Sequence, residues 1–505
     1  MAKRLAAIAL FILVAGAAIG PIRSYDFFWH LATGRWIIEH RALPLYDPFT
    51  LAAAHVPWIN GEWLWEVANY AVESLVGLHG VSYVNALFVG AIFAIGFWFG
   101  TSEIGAALLI SAVGFLGASD RLGIRPAAAA AFLIVCALAL LQSKLTPPRL
   151  AIAYGFLTIV WINTHPSALL APILAGAALL IDLRRWIVVI ASAVALLINP
   201  FGWHAITAPI ELTTLVGSGQ FVNAEWLPST PSLFPLLYAT AAMTLVFFLI
   251  ARKDLWRFAI FVLLAGLAIQ HVRNQGLYFA ALPLLVIPPR LTRNASIVCA
   301  VTAILPVGWV FAHSNHAAGV DTERFPVRAV AHLTLPGNIY NVDQFGGYLE
   351  WVFYPQRRVL TDGRNELFRA FIALDAEARR DSRVWHALQQ RYRIDLAVDE
   401  YQSERIEVVD VATRTRRFLP ASLVRYRRRD WALIAFDDAA MVFARRAAFS
   451  PQTIASLEYR YLVPDDPAIG YLNEDIRMRA RAEIERAKRE MGALAVVKKL
   501  EEAAR

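Results

Sequence analysis

Residues 62–80 read EWLWEVANYAVESLVGLHG, and how they are assigned sets the topology of everything after them. The stretch is apolar enough to pass for a membrane span. It also carries Glu62, Glu66 and Glu73 among tryptophans and tyrosines. Carboxylates are costly at a bilayer centre, whereas Trp and Tyr favour the interface. The expected element is therefore an amphipathic helix lying on the membrane surface, with Glu66 facing water. Counted as a surface helix, it leaves the apolar runs that begin near Leu5, Val81, Ile104, Pro126, Leu150, Ser167, Trp186, Leu233, Trp256, Gly276 and Asn294. That makes about eleven helical spans, on a window of ~20 residues per span.

The loops agree with this count. With Lys3 and Arg4 on the cytoplasmic side, the same side receives Lys144 and Arg149, Arg184 and Arg185, Arg252, Lys253 and Arg257, and Arg290 and Arg293. This is the positive-inside pattern. The chain has 505 residues, of which 58% are hydrophobic and 17% charged. Soluble domains average about 45–50% apolar and about 25% charged, so the composition indicates an integral membrane protein. The basic, apolar start MAKRLAAIALFILVAGAAIG reads as a retained first helix, with a cleaved signal peptide as the alternative. Cys136 and Cys299 lie in apolar runs and imply no disulfide framework. The net charge of +8 bears on orientation. No basic stretch interleaved with aromatics suggests a nucleic-acid partner.

The character changes after residue 313. Residues 1–313 form the expected transmembrane domain, with a large first outer loop at 23–80. Residues 314–470 contain the strand-like pieces NIYNV, RRVLTDG, IDLAVDE and WALIAFDDAAMVFARR and the helix-like ELFRAFIALDAEARR. They are expected to form an α/β domain, outside the membrane on the side of the polar loops. Residues 471–505 read as a charged helix or helical pair. The overall class is mainly α, polytopic, with a C-terminal extracytoplasmic α/β domain. No internal repeat supports an inverted-repeat transporter. DQFGGYLEW lacks the spacing of a nucleotide-binding loop, and its paired glycines suit a tight turn or close backbone approach.

On this topology the unusual polar residues of the membrane region share the outer face. Asp26 and His30 lie in SYDFFWHLATGRW, Asp47 in LPLYDPF, Glu62 in WINGEWLWE and Asp120 in ASDRLGIRP. Each is a candidate catalytic residue, because a carboxylate in reach of a hydroxyl can act as a general base. Arg121, Arg125, His165 in NTHPS and Arg273 are candidate ligands for a lipid phosphate, since guanidinium groups match phosphate oxygens. His204 and Glu225, in the long loop, are weaker candidates. Each has a bland alternative: a helix cap for Asp26, a turn for Asp47, headgroup anchoring for the arginines. The turn LTDGR, with Asp362 and Arg364, reads as a surface turn holding an ion pair.

The stretches YDFFWHLATGRWI, LPLYDPF and WINGEWLWE, and more loosely WINTHPSALL, INPFGWH, AEWLPS and FGGYLEWVFYPQRRVLTDGR, resemble the GT-C superfamily of polyprenyl-phosphate-dependent glycosyltransferases, in particular uncharacterised bacterial members. The resemblance implies a first helix leading into a large extracytoplasmic loop with an acid near its start. Asp26 matches that acid. It also implies a polyprenyl-phosphate-linked sugar donor, a glycan, lipid or protein acceptor, and residence in the bacterial inner membrane. Phe27 follows Asp26, so the acidic pair found in several GT-C families is absent. A second acid and a divalent metal cofactor are left open. The remaining alternatives are a lipid or polysaccharide transporter or flippase, and a non-catalytic envelope anchor.

Overall fold

A computed structural model describes all residues except 218–223, 252–253, 332, 410–412, 467–473, 493 and 505, and leaves aside the side chains of 215–217 and 251. Arg252 and Lys253, counted above among the cytoplasmic charges, lie outside the described residues. The chain is mostly helical and divides into two compact units that are not contiguous in sequence. The first comprises residues 1–24, 33–43 and 59–319. The second comprises 25–32, 44–58 and 320–505.

In the first unit each of the eleven apolar runs coincides with a helix or a short helical group. By length and composition, three helices among the described residues are able to cross a membrane: Trp63–Phe99, Ile104–Arg121 and Arg293–His313. Five shorter apolar helices accompany them: Pro126–Leu141, Pro147–Ile162, Pro166–Leu180, Pro235–Ile250 and Leu255–Gln270. Helices apolar on all sides have no polar face to turn to water, as expected of segments surrounded by protein or lipid.

The deciding stretch is helical, as its pattern implies, and joins the next helix in the single element Trp63–Phe99. The join is broken at Gly77, whose φ of 68° and ψ of 175° are non-helical. Only glycine takes that conformation without strain, so the sequence marks the boundary between the acid-bearing helix and the apolar one. Glu66 departs from expectation: it is fully buried and accepts a hydrogen bond of 2.6 Å from Asn60 Nδ2. Asn60, six residues earlier, gives the carboxylate the polar partner that burial demands.

The helix Pro126–Leu141 separates two kinds of chemistry. At its C-terminal end Arg185 Nη1 donates to the Leu141 carbonyl at 2.6 Å, and Arg257 Nη2 to Gln142 Oε1 at 2.5 Å. Cations suit that end of the helix dipole. Two basic loops assigned to one side by charge alone thus meet at one helix end. The opposite end begins at Arg125. Sixteen helical residues hold the ends about 24 Å apart.

The second unit is built on a mixed sheet of order β1-β2-β6-β5, with β1 Asn338–Asn341, β2 Ile394–Glu400, β5 Trp431–Phe436 and β6 Ala440–Arg445. Strands β1 and β2 are parallel, with Tyr340 opposite Ala397. Strand β6 is antiparallel to both β2 and β5. Three of the expected strand segments form as read. RRVLTDG contributes only isolated bridges, through Val359 to Ile339 of β1 and to Thr50. That second bridge brings the loop segment 44–58 against the sheet region: Leu51 N donates to Val359 O at 2.8 Å, and Ala52 N to Leu360 O at 3.2 Å. A separate hairpin, β3 Arg405–Val409 with β4 Arg416–Pro420, is largely exposed, with Ile406 and Val408 alternating against Arg405 and Glu407 in β3. The charged tail forms helices Glu474–Met491 and Ala495–Ala504. Their Ile484, Met491, Val497 and Leu500 enter the same core as Phe436 and Tyr459.

Candidate functional site

The nine candidate residues fall into two groups. Glu62, Asp120, Arg121, Arg125, His165 and Arg273 belong to the first unit, and Asp26, His30 and Asp47 to the second.

In the first unit, the sequence holds two of the key side chains by the same local device. Arg125 and His165 each precede a proline. The proline ring disfavours helical backbone in the residue before it, and both are extended, at φ −160° with ψ 161° and 139°. Pro126 and Pro166 then open the next helices, a position where a missing N–H costs nothing. Arg125 thereby stands at the N-terminus of Pro126–Leu141, the end of a helix that favours anions.

These residues gather around Glu225. Its Oε1 accepts from Arg125 Nη1 at 2.7 Å and from Arg121 Nη1 at 3.1 Å. Arg273 lies with its guanidinium carbon 4.5 Å from the centre of the Trp226 ring, and Trp226 O is 2.6 Å from His271 Nδ1. Burial acts to raise the Glu225 carboxyl, but Arg125, Arg121 and Arg273 hold it below the usual carboxylate value. Three arginines thus face one carboxylate that is itself about a third exposed. Asp120, exposed beside them, acts on Arg121 through its charge.

His165 completes this group. Its Nδ1 accepts from Ser167 N at 3.0 Å and lies 2.8 Å from Ser167 Oγ. An Nδ1 that accepts places the proton of a neutral imidazole on Nε2. That nitrogen faces Glu62 Oε1 at 4.0 Å, beyond direct hydrogen-bond distance. Burial, then the charges of Arg273 and Arg125, push His165 down to about 3, so it is neutral at physiological pH. Neighbouring Asn163 fixes this end of the fold: its Oδ1 accepts from Trp63 Nε1 at 2.8 Å, and its Nδ2 donates to Ile198 O at 3.0 Å.

The second unit holds a different cluster. Asp47 is fully buried and its carboxylate is fully engaged. Oδ1 accepts from Arg364 Nη2 at 2.9 Å and from Phe49 N at 3.3 Å. Oδ2 accepts from Thr50 N at 3.0 Å and from the Thr50 hydroxyl. Arg364 also pairs with Asp362, through Nε at 2.9 Å and through Nη2, and approaches Glu350 at 3.6 Å. Its guanidinium lies 4.5 Å from the Trp58 ring centre and 5.3 Å from that of Trp29. Burial and the charge of Asp362 push Glu350 well above the carboxylate range, while Arg364 holds Asp362 low against its own burial. Glu350 therefore favours its proton, and neither of its carboxyl oxygens has a hydrogen-bond partner among the described residues. A sealed group of three acids and one guanidinium accounts for Asp47 as a structural ion-pair partner. The reading of LTDGR as a surface turn is corrected, since Asp362 and Arg364 are buried. Gly346 lets this cluster close: a Cβ there would collide with the Thr361 carbonyl and lie 2.6 Å from Asp362 Cα.

Asp26 stands at the edge of this region, half-buried at the start of the helix Phe27–His40. Its Oδ1 accepts from Trp29 Nε1 at 3.4 Å and would lie 2.9 Å from a Cβ on Gly363. Burial pushes the nearby Glu366 carboxyl up, with the charges of Asp362 and Asp26 adding to the effect. His30 is buried against Trp29, with ring centroids 3.4 Å apart. Among the described residues, no group of three or more His, Cys, Asp or Glu side chains is placed to hold a metal ion.

Sequence reasoning ranked Glu225 low and did not anticipate Arg364 as a buried hub. Glu225 meets Arg125 across 100 residues of chain, and Arg364 meets Asp47 across 317. Local pattern carries no signal at such separations.

No protein-family profile matches the chain, and no curated protein matches it in sequence. Solved structures do match in fold. The oligosaccharyltransferase AglB from Archaeoglobus fulgidus, in complex with an inhibitory peptide and a dolichol-phosphate, aligns over 83% of this chain and 74% of its own, at 11% identity and a TM-score of 0.54. ArnT from Cupriavidus metallidurans in the apo state aligns over 88% and 98%, at 14% identity and a TM-score of 0.51. The chain thus shares its overall fold with both.

Proposed function

We propose that the chain is a membrane glycosyltransferase that moves a sugar from a polyprenyl-phosphate donor to a hydroxyl of a glycan, lipid or protein acceptor. The observation that carries the reading is the cluster of Arg121, Arg125 and Arg273 around a part-exposed Glu225 at a helix N-terminus, in a chain with a GT-C-like fold. Such a cluster suits a phosphate, which offers oxygens to several guanidinium groups at once.

In the proposed reaction Asp26 takes the proton of the acceptor hydroxyl. The acceptor oxygen attacks the anomeric carbon, the bond from that carbon to the donor phosphate breaks, and polyprenyl phosphate departs. Arg125 and Arg273 bind the phosphate and stabilise the charge it gains. Neutral His165 donates from Nε2 and adds no charge of its own. Asp47 has no part in the chemistry. The polar cluster would face the outside of a bacterial inner membrane, with about eleven spans and an extracytoplasmic C-terminal domain.

The test is transfer of radiolabel from a panel of polyprenyl-phosphate sugars by the purified protein. Asp26→Asn is expected to lower transfer by at least about a hundredfold, the scale of general base catalysis, with an unchanged melting temperature. A correctly folded Asp26→Asn protein working at the full rate would rule out the role given to Asp26.

A further inference from the structure

The second unit contains a cleft of about 240 Å³ that none of the chemistry above uses. Its walls come from four places: the end of the helix Arg369–Ala378, the first turn of the helix Ser382–Tyr392, Ile406 of β3, and the short helix Ala421–Arg425 with the turn after it. Four arginines line it, against one acid, Asp430.

The four are not equivalent. Arg379 Nε donates to Asp375 at 2.7 Å, and Arg425 Nη1 contacts Asp399 Oδ2 at 3.3 Å. Arg380 and Arg427 are exposed, and among the described residues no carboxylate lies within ion-pair distance of either. Asp430 pairs with Arg429, at 3.1 Å. The cleft thus retains two uncommitted guanidinium groups.

Two polar side chains and an apolar face complete the lining. Ser382 and His386 are exposed and line the cleft, and Ala378, Ile406, Val424 and the ring of Trp431 supply an apolar wall. The occupant therefore needs an oxyanion for the arginines, neutral oxygens for Ser382 and His386, and a carbon face for the apolar wall. A bare inorganic ion supplies only the first. A peptide needs more room, since sites for drug-sized ligands run to about 300–1,000 Å³.

We propose that this cleft binds one anionic sugar residue, a uronate or a sugar phosphate, with Arg380 and Arg427 on the charged group and Ser382 and His386 on its hydroxyls. The assignment concerns residues that the transfer reaction does not use, and it stands apart from that reading.

Equilibrium dialysis of the full-length protein in detergent, with radiolabelled glucuronic acid, glucose 6-phosphate and glucose as probes, tests it. Saturable binding of one or both anionic sugars is expected, with none of glucose. The double substitution Arg380→Ala with Arg427→Ala should weaken binding at least tenfold. Both side chains are exposed, so the fold should survive, and an unchanged melting temperature checks this. The proposal is overturned if neither anionic sugar saturates, if glucose binds equally well, or if the double variant binds like the parent. Competition by inorganic phosphate as effective as that by glucose 6-phosphate would overturn the sugar assignment, leaving a simple anion site.

Discussion

Two clusters of arginine and carboxylate use the same side chains for opposite ends. In the second unit Arg364 meets Asp47, Asp362 and Glu350, with side chains at most 1% exposed. In the first, Arg121 and Arg125 share Glu225, with side chains 20–37% exposed. The buried cluster has more acids than its one guanidinium balances, and Glu350, pushed well above the carboxylate range, reduces the excess by favouring its proton. The open cluster has more arginines than acid at Glu225 and is left with positive charge that an incoming anion can meet. Burial and stoichiometry, more than residue type, separate a structural ion group from a binding site.

The sharpest way to break this comparison is to remove one arginine from each. Arg364→Ala strands three buried acids and is expected to cost about 3–5 kcal/mol, the penalty for opening a buried ion pair. Arg125→Ala removes a part-exposed partner and should change stability by no more than about 1 kcal/mol. Denaturant titrations of the detergent-solubilised protein measure both, and comparable losses would collapse the distinction. Next in size is Gly346→Ala. Its Cβ has no room beside Thr361 and Asp362, so a loss of about 1–3 kcal/mol is expected, as for an overpacked core. A neutral result would mean that the buried cluster has slack.

The smallest effect sharpens the open cluster. His165 is held at about 3, against its usual 6.5. Between those values the unfolded chain takes up a proton that the folded chain refuses. The contribution of neutral His165 to stability is therefore complete above pH 6.5 and is lost as the pH falls toward 3. His165→Gln should reduce the drop in melting temperature between pH 7 and pH 5. An identical drop in the variant would remove His165 from the group.

The sequence was informative where the signal is local. Apolar runs located the helices, Gly77 marked the break after the acid-bearing segment, and IDLAVDE became β2 over its full length. The exposed hairpin β3–β4 was not among the expected strands, although Arg405, Ile406, Glu407 and Val408 alternate. The second unit is assembled partly from residues 25–32 and 44–58, which charge bookkeeping along the chain groups with the membrane region. Asp47 illustrates the limit: a lone acid before a proline looks like a turn, and nothing nearby in sequence announces Arg364. Glu66, similarly, reads as a surface acid until Asn60 is seen beside it.

The account rests on the open arginine cluster being a phosphate site. The most direct measurement is native mass spectrometry of the protein with undecaprenyl phosphate and with undecaprenol, for the parent and for Arg125→Ala combined with Arg273→Ala. The account predicts that the parent retains the phosphate lipid in preference to the alcohol, and that the double variant loses this preference while staying folded. A double variant that still selects the phosphate lipid as strongly as the parent would contradict it.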